Sequence, residues 1–242
     1  MRKTDDFRVH VFQHEPHEGP GNIEKWLTSG SDGLTCSLSR TLWHEGQEPP
    51  VMDEVDLLVI MGGSMSVDDE GKHPWLIREK LLIEQAVKKG KRVLGVCLGA
   101  QLLACVLGGR VYRNRHREIG WFPVFSTAEA RQRDLYRSFP GKFNAFHWHG
   151  DTFEVPYGGF RTFYNECTAN QGFQFGNRVV AVQFHIESTD SQIRDFVGSS
   201  DPGDLKKERF VQSGRDILSQ NSTVSENYKL LSSLMGKLVA DA

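Results

Sequence analysis

The chain has 242 residues, 38% hydrophobic and 25% charged, with 29 Lys and Arg against 31 Asp and Glu for a formal charge of −2. That length suffices for a sizeable core in one large α/β domain, and the composition is ordinary for a soluble globular protein. The lack of a basic excess argues against a nucleic-acid binder, and the basic spots at 110–117 and Lys206-Lys207 read as solvated faces.

Four cysteines, Cys36, Cys97, Cys105 and Cys167, form no C-x-x-C pair and no zinc-like set with the histidines. Residues 1–6 turn acidic at once, without the apolar stretch of a secretory signal, and no apolar run nears the ~20 residues that span a bilayer. The expectation is a cytoplasmic protein with reduced thiols and no membrane contact.

Residues 7–12 alternate as a first strand, a Glu/His/Pro/Gly-rich loop follows, and residues 22–27 suggest a short helix. Residues 35–38 form a weak strand and 55–61 a stronger one, nearly continuous in apolar character, as a parallel strand covered on both faces should be. After Gly62-Gly63-Ser64, His73-Pro74-Trp75 opens a helix that Gly90 ends. Residues 92–96 are the next strand. Cys97 follows it, and then a helix runs to Gly108-Gly109. Alternating strands and helices imply right-handed crossovers and a parallel sheet.

From Val111 the character changes. Runs at 120–125, 143–148, 160–164, 171–175 and 179–184 read as a mixed or antiparallel extension, the last of them returning to the main sheet. The chain becomes helical from Ser188, breaks at 199–203, and ends in a helix with Leu231, Leu234, Met235 and Leu238 on one stripe. The whole chain, 1–242, reads as one domain with a core at about 7–190 and a helical extension at 191–242.

Gly95-Val96-Cys97-Leu98-Gly99 sits where a strand turns into a helix, the setting of a nucleophile elbow with cysteine in place of serine. A packing cysteine has no need of flanking glycines there. Helix-end amides favour the thiolate, the reactive form. A thiol nucleophile needs a base, and the base an orienting group. His185-Ile186-Glu187 ends a buried strand, where i and i+2 share a face. On its own this His-x-Glu is also what a strand end at the surface would carry.

His147-Trp148-His149-Gly150-Asp151 offers two histidines on one strand face, but no third ligand is visible, so the reading there is no metal. A turn or a pocket wall are the alternatives. Gly62-Gly63 after a buried strand suits backbone amides facing a ligand, and lacks the lysine of a phosphate-binding loop.

Met61-Gly62-Gly63-Ser64-Met65-Ser66-Val67, Gly95-Val96-Cys97-Leu98-Gly99-Ala100-Gln101 and Gln183-Phe184-His185-Ile186-Glu187, in that order, resemble the class I, triad-type glutamine amidotransferase family over roughly 7–190. Glu118-Ile119-Gly120-Trp121 and the His147–Asp151 segment resemble its stand-alone amidotransferase-like subgroup. The resemblance implies a flavodoxin-like, open and mainly parallel sheet flanked by helices, with a mixed β extension and C-terminal helices. It implies Cys97 as nucleophile, His185 as acid and base, and Glu187 as its orienter. Gly63 and Leu98 would supply the oxyanion hole, while Gly62, Gln101 and His149 would contact substrate. Ile186 stands where many members carry proline, which leaves both flanking side chains intact.

No cofactor is expected. The implied substrate is glutamine or a γ-glutamyl small molecule. Nothing after residue 190 is long enough for a synthase, so a separate ammonia-accepting synthase is one implied partner. A γ-glutamyl peptidase-like hydrolase is a second reading, and a non-catalytic binding protein that keeps the fold is a third.

Overall fold

A computed structural model describes residues 7–29, 35–201 and 203–240. Residues 1–6, and Pro202 within the break at 199–203, lie outside the described residues. The elements are β1 (Phe7–Gln13), α1 (Asn22–Thr28), β2 (Cys36–Leu42), β3 (Leu57–Ile60), α2 (Trp75–Lys88), β4 (Arg92–Val96) and α3 (Leu98–Val106). Then come β5 (Val111–Ser126), α4 (Ala128–Gln132), β6 (Lys142–Phe153), β7 (Gly159–Tyr164), β8 (Gly172–Phe175) and β9 (Val179–Val182). The chain ends with α5 (Asp190–Ser199), α6 (Gly214–Leu218) and α7 (Asn221–Val239).

The strands form one sheet in the order β2-β1-β3-β4-β9-β8-β7-β5-β6. The first five run parallel and the remaining four pair antiparallel, as expected of an α/β fold with a mixed β extension. Continuous apolar strands follow from burial on both faces. In β3, Leu57 and Val59 pack with the residues of α1 and α7, while Leu58 and Ile60 pack with those of α2 and α3. Leu231, Leu234, Met235 and Leu238 of α7 are all buried in the first of these clusters. No helix among the described residues is long and apolar enough to cross a membrane.

Three expectations need correction. β5 and β6 are much longer than 120–125 and 143–148. Their polar ends carry no apolar alternation, and cross-strand pairing either side of a register shift between Arg113 and Glu118 holds them extended. The segment after 190 is not purely helical. Residues 208–212 return to β5, with the Ile119 amide donating to the Phe210 carbonyl and the Gln212 amide to that of Ile119, both at 2.9 Å. This return covers Ile119 and Trp121, which join Ile193, Phe196, Val211 and Ile217 in a third apolar cluster. Finally, β9 stops at Val182. His185 is held instead by an isolated bridge to Phe146, its amide 2.7 Å from that carbonyl oxygen.

The carboxyl ends of β1, β3, β4 and β9 open on one edge, where open α/β sheets place ligands.

Candidate active site

At the end of β4 the backbone of Cys97 takes φ 52° and ψ −107°, the one positive φ outside glycine among the described residues. An L side chain in that region is strained, and such strain persists where the surroundings over-determine it. Two ties do so: the Cys97 amide donates to the Val182 carbonyl at 2.9 Å, and the Gly99 amide to that of Met61 at 3.1 Å. The flanking glycines are required by close approach. A Cβ on Gly95 would lie 2.5 Å from the Gly99 carbonyl oxygen, and one on Gly99 would collide with the Ile60 carbonyl. The elbow holds Cys97, 5% exposed, at the N-terminus of α3.

His185 and Glu187 are both buried, with Nδ1 of the ring 2.9 Å from Glu187 Oε1. Nδ1 therefore donates to the carboxylate. Nε2 lacks a well-formed hydrogen-bond partner, and the ring couples electrostatically to Cys97. A methyl group on Gly62 would sit 3.0 Å from His185 Cε1 and 3.5 Å from Cys97 Cβ, so the imidazole and the thiol flank one point. Burial pushes the His185 pKa down, but the Glu187 carboxylate and Cys97 together outweigh it and hold the imidazole well above its ordinary value.

Beneath them lies the Gly62–Gly63 turn. His14 Nδ1 donates to the Gly62 carbonyl at 2.8 Å, and its Nε2 meets the Glu79 carboxylate at 2.9 Å, all fully buried. Burial lowers the His14 pKa, and Glu79 with the Gly62 carbonyl more than restores it, leaving it raised. In a trans peptide the C=O and N–H point in opposite directions. Pinning the Gly62 carbonyl to His14 therefore turns the Gly63 N–H away from it. Glu18, 7% exposed, closes this floor, and its carboxylate would meet any Cβ on Gly62. Burial raises the Glu18 pKa, against the opposing pull of His185 and His17.

A cavity of about 320 Å³ opens over the thiol. Of the residues singled out from sequence, Cys97, Gly63, Gln101 and His149 line it. Gly62 lies behind that wall with His185 and Glu187, and the Leu98 side chain packs in the core. Gln101 is not free: its Nε2 donates to Gln183 Oε1 at 3.2 Å.

Arg113 and Arg117 also line the cavity, paired with Asp151 at 3.2 Å and with Asp204. The run at 110–117 is largely solvated, as expected, with Arg113 and Arg117 also at the edge of the cavity that contains the thiol. Ser199 and Ser200 from the end of α5, with Phe196, complete the far wall.

The sheet also gives His147 and His149 a neighbour. β5 and β6 pair Glu118 with His149, and this supplies the third possible metal ligand that the sequence does not reveal. Glu118 accepts hydrogen bonds from Asn165, Thr168 and Gln171. Burial works to raise its pKa, but the two histidines and Asn165 outweigh it and bring it to about 2. Burial pushes His147 down to about 4. The sequence reading missed His14, Glu18 and Glu79 outright. His14 and Glu18 sit in a polar loop and Glu79 on a helix, none of them within a motif. Glu118 was visible only as part of a segment whose chemistry was unassigned.

The model of the family glutamine amidotransferase class-I matches residues 22–197. The chain is 32% identical to the glutamine amidotransferase-like protein YfeJ of Salmonella typhimurium over 219 residues, covering 88% of this chain and 90% of the relative. It is 27% identical to gamma-glutamyl peptidase 5 of Arabidopsis thaliana over 165 residues, 66% of this chain and 64% of that protein. The crystal structure of a glutamine amidotransferase from Thermotoga maritima superposes with a TM-score of 0.85 at 33% identity, over 96% of this chain and 97% of that one. With its fold, its ordered motifs and these matches taken together, the chain belongs to the class I glutamine amidotransferase family.

Proposed function

We propose that the protein hydrolyses the side-chain amide of glutamine, or the γ-glutamyl bond of a small molecule, through a thioester on Cys97. The observation that carries this reading is the strained Cys97 elbow beside an imidazole already bonded to Glu187. The Cys97 proton passes to His185, and the sulfur attacks the γ-carbonyl carbon. Oxygen takes the negative charge as the carbonyl π bond opens. The amides of Gly63 and Leu98 are the donors assigned to that oxyanion. As the C–N bond breaks, His185 returns the proton to the departing nitrogen, which leaves as ammonia. His185 then takes a proton from water, the resulting hydroxide attacks the thioester, and glutamate and the free thiol are regenerated. Glu187 keeps Nδ1 protonated and so directs Nε2 to the sulfur. Gln101 and His149 are assigned to contact with substrate from the cavity wall. No cofactor enters these steps.

A second reading, a γ-glutamyl peptidase-like hydrolase that works without a synthase, is favoured by the cavity wall. It runs past the thiol to Arg113 and Arg117 and is completed by the chain's own Phe196, Ser199, Ser200 and Asp204. The similarity to gamma-glutamyl peptidase 5 supports the same reading. The first reading adds a separate ammonia-accepting synthase as partner, with the protein acting in the cytoplasm.

Hydrolysis of glutamine and of a panel of γ-glutamyl compounds by the purified protein tests the proposal, with Cys97→Ala as control. Release that depends on Cys97 is expected. Turnover surviving in Cys97→Ala would overturn it. Glutamine turnover that rises only when a synthase is added separates the first reading from the second.

A further inference from the structure

We propose that Glu118, His147 and His149 bind one divalent transition-metal ion, at a site that does not use Cys97 and shares only His149 with the cavity wall. One donor atom from each residue lies within 4.8 Å of the other two. Glu118 Oε2 is 3.3 Å from His149 Nε2 and 3.6 Å from His147 Nδ1. Ligand atoms around a zinc ion with arms of about 2.0–2.2 Å stand roughly 3.3–3.6 Å apart, so the two carboxylate–imidazole spacings match.

The polarities of the three groups conflict. His149 Nδ1 lies 3.0 Å from the Asp151 carbonyl oxygen and must carry its hydrogen to bond there. In the neutral ring that leaves a lone pair on Nε2, facing Glu118 Oε2. That oxygen already accepts from Thr168 Oγ1 at 3.0 Å and Gln171 Nε2 at 2.7 Å. His149 Nε2 and His147 Nδ1 both face Glu118 without a well-formed hydrogen bond, while the His147 ring also meets the Phe122 backbone. Glu118 and His147 are fully buried and His149 is 6% exposed, so water offers little relief. Acceptors converging in a dry place require something positive between them.

A proton on His149 would resolve one contact and leave the His147 Nδ1 that faces Glu118 at 3.6 Å without a hydrogen bond to it. A second proton would put two imidazolium rings side by side. One cation satisfies all three groups.

The surrounding bonds are those that hold metal ligands in place. A ligating histidine donates its other nitrogen to a carbonyl, and a ligating carboxylate is itself hydrogen-bonded. His149 does the first with Asp151, and Glu118 the second with Asn165, Thr168 and Gln171. Two imidazoles and one carboxylate suit zinc or its neighbours rather than magnesium or calcium. The ion would tie β5 to β6 and to the turn at 165–171, behind the cavity wall.

Cys97 and His185 could also capture zinc, so the test uses full-length Cys97→Ala, stripped with chelator. Titration with zinc, followed by calorimetry and elemental analysis, is expected to give one equivalent bound. Cobalt(II) in its place is expected to give a visible spectrum without a thiolate charge-transfer band. Adding His147→Gln should remove the equivalent. Gln171→Ala, which leaves the three ligands intact, should weaken it roughly 10–100-fold. Failure of Cys97→Ala to take up one equivalent overturns the proposal whatever the other variants do. So does unchanged uptake in His147→Gln, or a sulfur band with cobalt.

Discussion

His14 Nδ1 holds the carbonyl oxygen of Gly62 at 2.8 Å, and by doing so sets the direction of the Gly63 amide. This pairing links the end of β1 to the turn after β3, 48 residues away in the chain. If Gly63 donates to an oxyanion, His14 acts as a positioning residue. His14→Phe is expected to free the peptide to rotate and to lower kcat by roughly the 100-fold that loss of one oxyanion donor costs, with KM nearly unchanged. Glu79→Gln keeps a hydrogen-bonding group beside His14 and should retain much of the rate. Steady-state kinetics on both variants checks the split. A KM effect alone would refute the positioning role.

Gly62 has no space for a side chain. A methyl there meets the Glu18 carboxylate first and then His185 Cε1 at 3.0 Å. Gly62→Ala should therefore push the imidazole away from the thiol. A shift near 1 Å costs about 100-fold in rate. Activity should fall by about that factor while circular dichroism stays native.

The thiols should differ sharply in reactivity. Burial pushes the Cys105 thiol up, and the Cys167 thiol up to about 12, so neither ionises near neutral pH. Peptide mapping after brief treatment with iodoacetamide at neutral pH should find Cys97 modified well ahead of both. Modification should slow in His185→Ala, which removes the base. Equal labelling of Cys167 would contradict a privileged Cys97.

His10 should make the fold sensitive to acid. Its ring lies buried between Ser39 Oγ at 2.7 Å and Thr41 Oγ1 at 2.9 Å, and burial lowers its pKa from 6.5 to about 4. The folded-state value is the depressed one. The unfolded chain therefore binds the proton more readily, and stability drops as pH falls from 6.5 toward about 4. The loss amounts to roughly 3 kcal/mol across that window. Urea unfolding at a series of pH values should show this slope in the wild type and a shallower one in His10→Gln.

α7 belongs to the core rather than to an appendage. Leu234 is fully buried against residues of the sheet. Leu234→Ala should cost about 2–5 kcal/mol in chemical denaturation. A cost near zero would mean that α7 contributes little.

Local patterns carried a good part of this protein in the sequence. The elbow at 95–99 is a short-range device: a strand, two glycines that permit close approach and a helix start all fall within a few residues. β3 and β4 announce themselves by continuous apolar character, and α7 by its stripe, because burial on a regular element leaves a periodic trace. His185 and Glu187 were legible as a pair, although the bridge to Phe146 rather than a continuing strand holds them.

What the tertiary structure alone decided is the meeting of residues distant in the chain. His14, Gly62 and Glu79 come together, as do Glu118, His147 and His149, because sheet order and register place them there. Arg113 and Arg117 face the cavity only because β5 is carried past its apolar stretch by pairing with β6. An isolated charge or imidazole in a polar run looks the same in sequence whether it meets water or a partner. Only closure of the sheet removes the water, and with it the equivalence.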